Sequence, residues 1–156
     1  HNLFEGLDFD LKNTNIENGK AEDREKECER YNNLLGEMQQ DIQLLGLGSN
    51  GHIAFNEPNT PFGSGVHIVK LTENTIKDNS RLFANINDVP RYAFTMGIKN
   101  IMNAKKIVIL ASGKNKANAV KSSIEGVVTE DVPASVLQLH PDCTFIVDEE
   151  AASLLK

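Results

Sequence analysis

Apolar residues along the chain fall into short runs, some at helical spacing and some unbroken. Over residues 20–38, Cys28, Tyr31, Leu34 and Leu35 form one helical stripe, and Glu22 and Asp23 sit where a helix N-terminus favours negative charge. Asn18-Gly19 punctuates the start of that helix. Ile42-Gln43-Leu44-Leu45 then predicts a short buried strand, ended by Gly46. Residues 66–71, 107–111 and 143–147 read as further strands, each bounded by Gly, Asn, Asp or Ser. A helix is expected over residues 115–125, and another over 149–155 closes the chain. Residues 89–104 admit two readings, a short helix opened by Pro90 or a strand from Ala93 to Met96 before Gly97. Strands alternating with helices imply a mainly parallel sheet with right-handed crossovers, and so a three-layer α/β fold.

Length and charge narrow the function classes. A chain of 156 residues buries roughly two thirds of its unfolded surface, enough for a core without disulfides or a metal. No internal repeat, low-complexity tract or linker divides it, so residues 1–156 are expected to form a single domain. Twenty-two Asp and Glu against 16 Lys and Arg exclude a nucleic-acid footprint over the whole surface, but not a local basic pocket for a small anion. The apolar runs fall far short of the ~20 residues that span a bilayer. With no signal peptide at its start, the chain is expected to be cytoplasmic, with no membrane partner. Cys28 and Cys143 form no CxxC or Cys/His cluster and read as reduced thiols. The opening residues, His1-Asn2-Leu3-Phe4-Glu5, follow no initiator Met and read as the start of a cut piece.

The richest stretch follows the first strand. Gly46-Leu47-Gly48-Ser49-Asn50-Gly51 satisfies the G-x-G-x-x-G pattern. A dinucleotide site needs a long helix opening at the third glycine, yet Pro58 follows Gly51 too closely for one. The glycines Gly48 and Gly51 instead let backbone approach a ligand at the carboxyl edge of a parallel sheet. That makes His52 and Glu57 candidates for chemistry, since a histidine shuttles protons near neutrality and a carboxylate can orient it and stabilise its imidazolium form. Asn50 could hold the other ring nitrogen or a substrate hydroxyl. The plainer reading of the same residues is a histidine after a glycine turn and a Glu before Pro in a polar loop.

The run Gly48-Ser49-Asn50-Gly51-His52-Ile53-Ala54-Phe55-Asn56-Glu57-Pro58 closely resembles the active-site loop of glucosamine-6-phosphate deaminases, also called isomerases. Asn79-Ser80-Arg81-Leu82-Phe83, Val89-Pro90-Arg91-Tyr92-Ala93, Ser112-Gly113-Lys114-Asn115-Lys116-Ala117 and Leu137-Gln138-Leu139-His140 follow in family order, so the resemblance covers essentially the whole chain. It implies a Rossmann-like fold and conversion of glucosamine 6-phosphate to fructose 6-phosphate and ammonia, in aminosugar catabolism, with no metal or organic cofactor. His52 falls on the ring-opening acid/base, Glu57 on the carboxylate that tunes it, and Arg81 and Lys116 on the phosphate-binding cations. A guanidinium and an ammonium suit a dianion, and Lys116 is expected near a helix N-terminus whose amides favour anions.

Three departures qualify the resemblance. Asn50 stands where some members carry an aspartate, so it can orient the imidazole without adding charge. The family also has a further N-terminal segment with a phosphate-binding loop and the aspartate that moves the C2 proton. The chain is therefore expected to be a C-terminal portion with an incomplete sheet, inactive by itself. Finally, members activated by N-acetylglucosamine 6-phosphate grip it with an Arg and a Lys at positions that are His67 and Val69 here, which predicts no such activation. Galactosamine-6-phosphate isomerases and 6-phosphogluconolactonases share the fold, and Asn56-Glu57-Pro58 favours the aminosugar enzymes. A noncatalytic sugar-phosphate-binding module is the alternative of a different class. The small-molecule partner is a sugar phosphate, and a homo-oligomer stays open.

Overall fold

The computed structural model describes residues 6–8 and 10–156; the stretch His1 to Glu5 lies outside the described residues. Helix α1, Arg24–Glu37, starts at Arg24 rather than residue 20 because the Asp23 side chain accepts the Lys26 N–H at 3.1 Å and so caps the first turn. Glu27, buried on this helix, accepts from Arg30 Nε at 2.8 Å, from Arg30 Nη2 at 2.7 Å and from the Asn18 N–H at 2.6 Å. The Arg30 guanidinium above all, then the Asn18 amide, draw its carboxyl down to about 2. The chain before α1 is thereby held to the helix.

The remaining elements run β1 (Ile42–Gly46), β2 (His67–Lys70), α2 (Glu73–Asn79), β3 (Tyr92–Thr95), α3 (Ile98–Met102), β4 (Lys106–Ala111), α4 (Ala117–Ile124) and β5 (Cys143–Val147). Strands β1, β4 and β5 form a three-stranded parallel sheet in the order β1-β4-β5, with Leu44 opposite Val108 and Val108 opposite Thr144. The architecture is mixed α/β around a mainly parallel sheet, as the alternation of elements predicts. Strands β2 and β3 depart from it. They pair antiparallel, His67 with Thr95 and Lys70 with Tyr92, in a separate two-stranded ribbon. Apolar patterning encodes which face of a strand is buried, not which way its neighbour runs. Pro90 opens no helix, and the strand reading of residues 93–96 holds with its bounds one residue earlier.

The expected closing helix is absent. Ala152 N–H bonds to Asp148 O, but Ser153 and Leu155 return to Glu150 and Ala152, so residues 149–154 form successive turns. Only the Ala152 bond spans four residues and the others span three, so no continuous α-helical ladder forms.

One face of the sheet carries the core. Leu45, Ile107 and Ile109 pack with Ile98 and Ile101 of α3, Val120 of α4, and Val136 and Leu137 of the 3-10 segment Pro133–Leu139. On the opposite face Leu44 is 60% exposed and Ile146 54%, with Ile42 and Leu110 also open. Parallel strands are ordinarily apolar because both faces are covered. Among the described residues one helical layer covers this sheet, so two of the three expected layers are seen.

Candidate functional site

Parallel strands send their carboxyl ends to one edge, so the loops that follow β1 and β4 open side by side. After β1 the chain turns sharply. Gly51, at φ +85, donates its N–H to Gly48 O at 3.0 Å, and Gly48 N–H reaches His52 O at 2.9 Å. A side chain at Gly48 would collide with the His52 ring at Nδ1, and one at Gly51 would meet Val132 Cγ1. Both glycines are therefore required by close approach, the first by the imidazole itself.

The turn sets up a relay. Asn50 Nδ2 donates to Glu57 Oε2 at 2.7 Å, and Asn50 Oδ1 lies 2.8 Å from His52 Nδ1 and accepts the His52 N–H at 3.2 Å. A carboxylate accepts only, so it fixes which end of the amide faces it, and the amide oxygen in turn requires a proton on Nδ1. Nε2 is then the nitrogen that carries the lone pair. Glu57 Oε2 itself lies 3.7 Å from Nδ1. Burial lowers the His52 pKa, Glu57 opposes that shift, and the Lys116 charge adds to it. The result is an imidazole that is neutral near pH 7 and able to take a proton.

The cavity here, about 370 Å³, is lined by Gly48, Ser49, His52, Phe55, Thr75 and Lys116. Lys116 and His52 thus come together as the sequence predicts. Arg81 does not join them; it is exposed on the 3-10 turn Ser80–Leu82, outside the cavity lining. The expected anion-binding amides are occupied as well. Gly113 N–H is held by both Asp148 carboxylate oxygens at 3.1 and 2.9 Å, and Lys114 N–H by Glu150 at 3.3 Å. Those two amides are therefore not free beside Lys116, whose ammonium is the group that lines the cavity. Thr75 was not singled out in the sequence because α2 has no clear apolar period to announce it.

A larger cavity, about 650 Å³, lies between α1 and α3, lined by Asn32, Phe62, Lys99 and Asn100. Its amides already bond each other, Asn100 Nδ2 to Asn32 Oδ1 at 3.1 Å, and it holds no acid/base pair. The chemistry directs attention to the smaller cavity. Cys28 and Cys143 are free thiols whose pKa values burial raises, so neither is an activated nucleophile. Among the described residues no group of three or more His, Cys, Asp or Glu could hold a metal, and no helix is long and apolar enough to cross a membrane.

The family model described as glucosamine-6-phosphate isomerases/6-phosphogluconolactonase matches residues 4–146. The chain belongs to this family. Within the family it is 58% identical over 153 residues to a glucosamine-6-phosphate deaminase of Lactobacillus johnsonii, covering 98% of this chain and 63% of that protein. A second relative of the same name, from Thermoanaerobacter pseudethanolicus, is 52% identical over 156 residues, covering 99% and 62%. The chain thus spans somewhat under two thirds of those relatives' length. A solved monomeric glucosamine-6-phosphate deaminase superimposes with a TM-score of 0.90 at 50% identity, covering 95% of this chain and 62% of that one. The 6-phosphogluconolactonase of Trypanosoma brucei, at 22% identity and a TM-score of 0.64, shares the fold.

Proposed function

We propose that this chain is the His52-bearing part of a glucosamine-6-phosphate deaminase, acting in the cytoplasm in aminosugar and N-acetylglucosamine catabolism. The observation that carries the reading is the relay Glu57–Asn50–His52, which leaves a neutral imidazole with its Nε2 lone pair beside a cationic Lys116. In this reading Nε2 takes the proton of the anomeric hydroxyl while the ring oxygen gains one, and the sugar opens. A proton then moves from C2 to C1, the amine leaves as ammonia, and one water is consumed. Lys116 neutralises the phosphate, and Arg81, on the segment between β2 and β3, is proposed as its second cation. The C2 base is proposed to lie in the additional length of the relatives, so the 156 residues alone bind phosphate weakly and release no ammonia. No metal or organic cofactor takes part, and neither nucleic acid nor a membrane is a partner.

The deciding experiment uses protein of the relatives' full length. Ammonia and fructose 6-phosphate should form from glucosamine 6-phosphate faster than from the galactosamine epimer, with no hydrolysis of 6-phosphogluconolactone. Binding of the sugar phosphate without turnover would instead establish a sensing module.

A further inference from the structure

His52 and Glu57 are separated only by the turn Ile53 to Asn56, and their relay through Asn50 works only if that turn keeps its shape. Asn56 is fully buried. Its backbone N–H and its Nδ2 both donate to Ile53 O, at 3.0 and 2.9 Å, which closes the turn from inside. Nδ2 also donates to Met96 O at 2.9 Å, just beyond the end of β3. Thr95, itself buried, joins the same point: its hydroxyl donates to Met96 O at 3.1 Å and accepts the Phe55 N–H at 3.2 Å. The turn is thus fastened to the antiparallel ribbon, not only to the strand that precedes it.

Asn56 Oδ1 is buried with no hydrogen-bond partner among the described residues. An unpaired buried acceptor opposes folding, and an apolar side chain of similar size would avoid it. The position therefore uses the forked N–H donor despite that oxygen, and an aspartate, which only accepts when ionised, could not replace it. Ala54, at φ +52, is held in the left-handed region within the same turn, a conformation that persists only when its surroundings impose it.

We propose that Asn56, supported by Thr95, is a positioning residue that sets the His52-to-Glu57 spacing and thereby keeps the imidazole in its Nδ1–H form. The proposal rests on His52 and Glu57 being the reacting pair. Its test reads the imidazole directly, so it stands or fails apart from turnover.

The experiment is ¹⁵N NMR of His52 at about pH 8, where the ring is neutral, in the full-length protein and in Asn56→Leu and Thr95→Val. The native protein should show the proton on Nδ1. In Asn56→Leu the majority form should switch to Nε2–H, the form an unconstrained imidazole prefers. Turnover should fall roughly 10²-fold at little-changed KM, since a displaced group loses its geometry and Asn56 touches no phosphate. Thr95→Val keeps the amide and removes one fastening, so it should give a mixture of the two forms. A folded Asn56→Leu with the native Nδ1–H ring overturns the proposal, whatever its activity. If that variant does not fold, Thr95→Val decides: a mixed ring supports the proposal and a native ring overturns it. A ring that switches in a protein with no deaminase activity would sustain the positioning role while removing the functional reading.

Discussion

The Asn50 amide donates a 2.7 Å hydrogen bond to the Glu57 carboxylate, and that contact decides which end of the amide His52 meets. The carboxylate acts on the imidazole mainly through a neutral intermediary, with its own oxygen 3.7 Å from Nδ1. Its charge offsets part of the shift that burial imposes on His52.

Replacing that intermediary with a charge should show in titration. Asn50→Asp places a second carboxylate against Nδ1, which favours imidazolium and raises the His52 pKa. The acidic limb of the pH–rate profile should move up with it. An NMR titration of His52 identical to the native one would mean that residue 50 does not contact the ring.

His52→Gln should lower turnover roughly 10²- to 10⁴-fold, the range for losing a general acid/base. The loss should be smaller on substrate supplied in its open-chain form, because the missing step is ring opening. Equal losses on both forms would assign His52 to a different step.

Gly48→Ala puts a methyl group where the imidazole lies. Either the ring rotates or the loop shifts, and the expected result is a fall in turnover of roughly 10²-fold with the far-UV spectrum unchanged. Native-like turnover would mean that the ring does not rest against Gly48 during catalysis.

Acid stability should depend on Glu27. Its carboxyl is drawn from 4.5 in a free chain to about 2 in the fold, so the ionised form is favoured by folding. That stabilisation is complete above about pH 5, declines as pH drops below the free-chain value, and is gone once pH falls through about 2. The Tm difference between the native protein and Glu27→Gln should therefore be largest near neutrality and vanish toward pH 2. A difference independent of pH would show that Arg30 and Asn18 recognise the side chain without using its charge.

Much of the sheet and part of the candidate site are legible in the sequence. Residues 107–111 are a continuous apolar run and 143–147 one broken only by Thr144, each between polar breaks, the pattern typical of a parallel strand. The glycine loop was legible because close approach leaves few substitutes for Gly48 and Gly51. What escaped depends on partners distant in sequence. The direction of β2 is set by pairing with β3, and the occupation of the Gly113 amide is set by Asp148, on the other side of α4. Asn56 stands out with Glu57 and Pro58 as part of a motif, but its bonds to the Met96 and Ile53 carbonyls leave no sequence signal.

The pairing of β1 with β4, Ile42 opposite Lys106 through Gly46 opposite Leu110, also fixes an order in time. These partners are joined only after the loop, the ribbon and α3 have been threaded between them, and such distant closures are slow. The turns from Gly48 to Asn56 close over a few residues each. In refolding followed by pulsed hydrogen exchange, the Gly51 and Asn56 amides should gain protection before Ile109, and simultaneous protection would contradict this sequence of events. On that order, the turns between Gly48 and Asn56 close locally first, are fastened to Thr95 and Met96 as the ribbon forms, and are carried by the parallel sheet last.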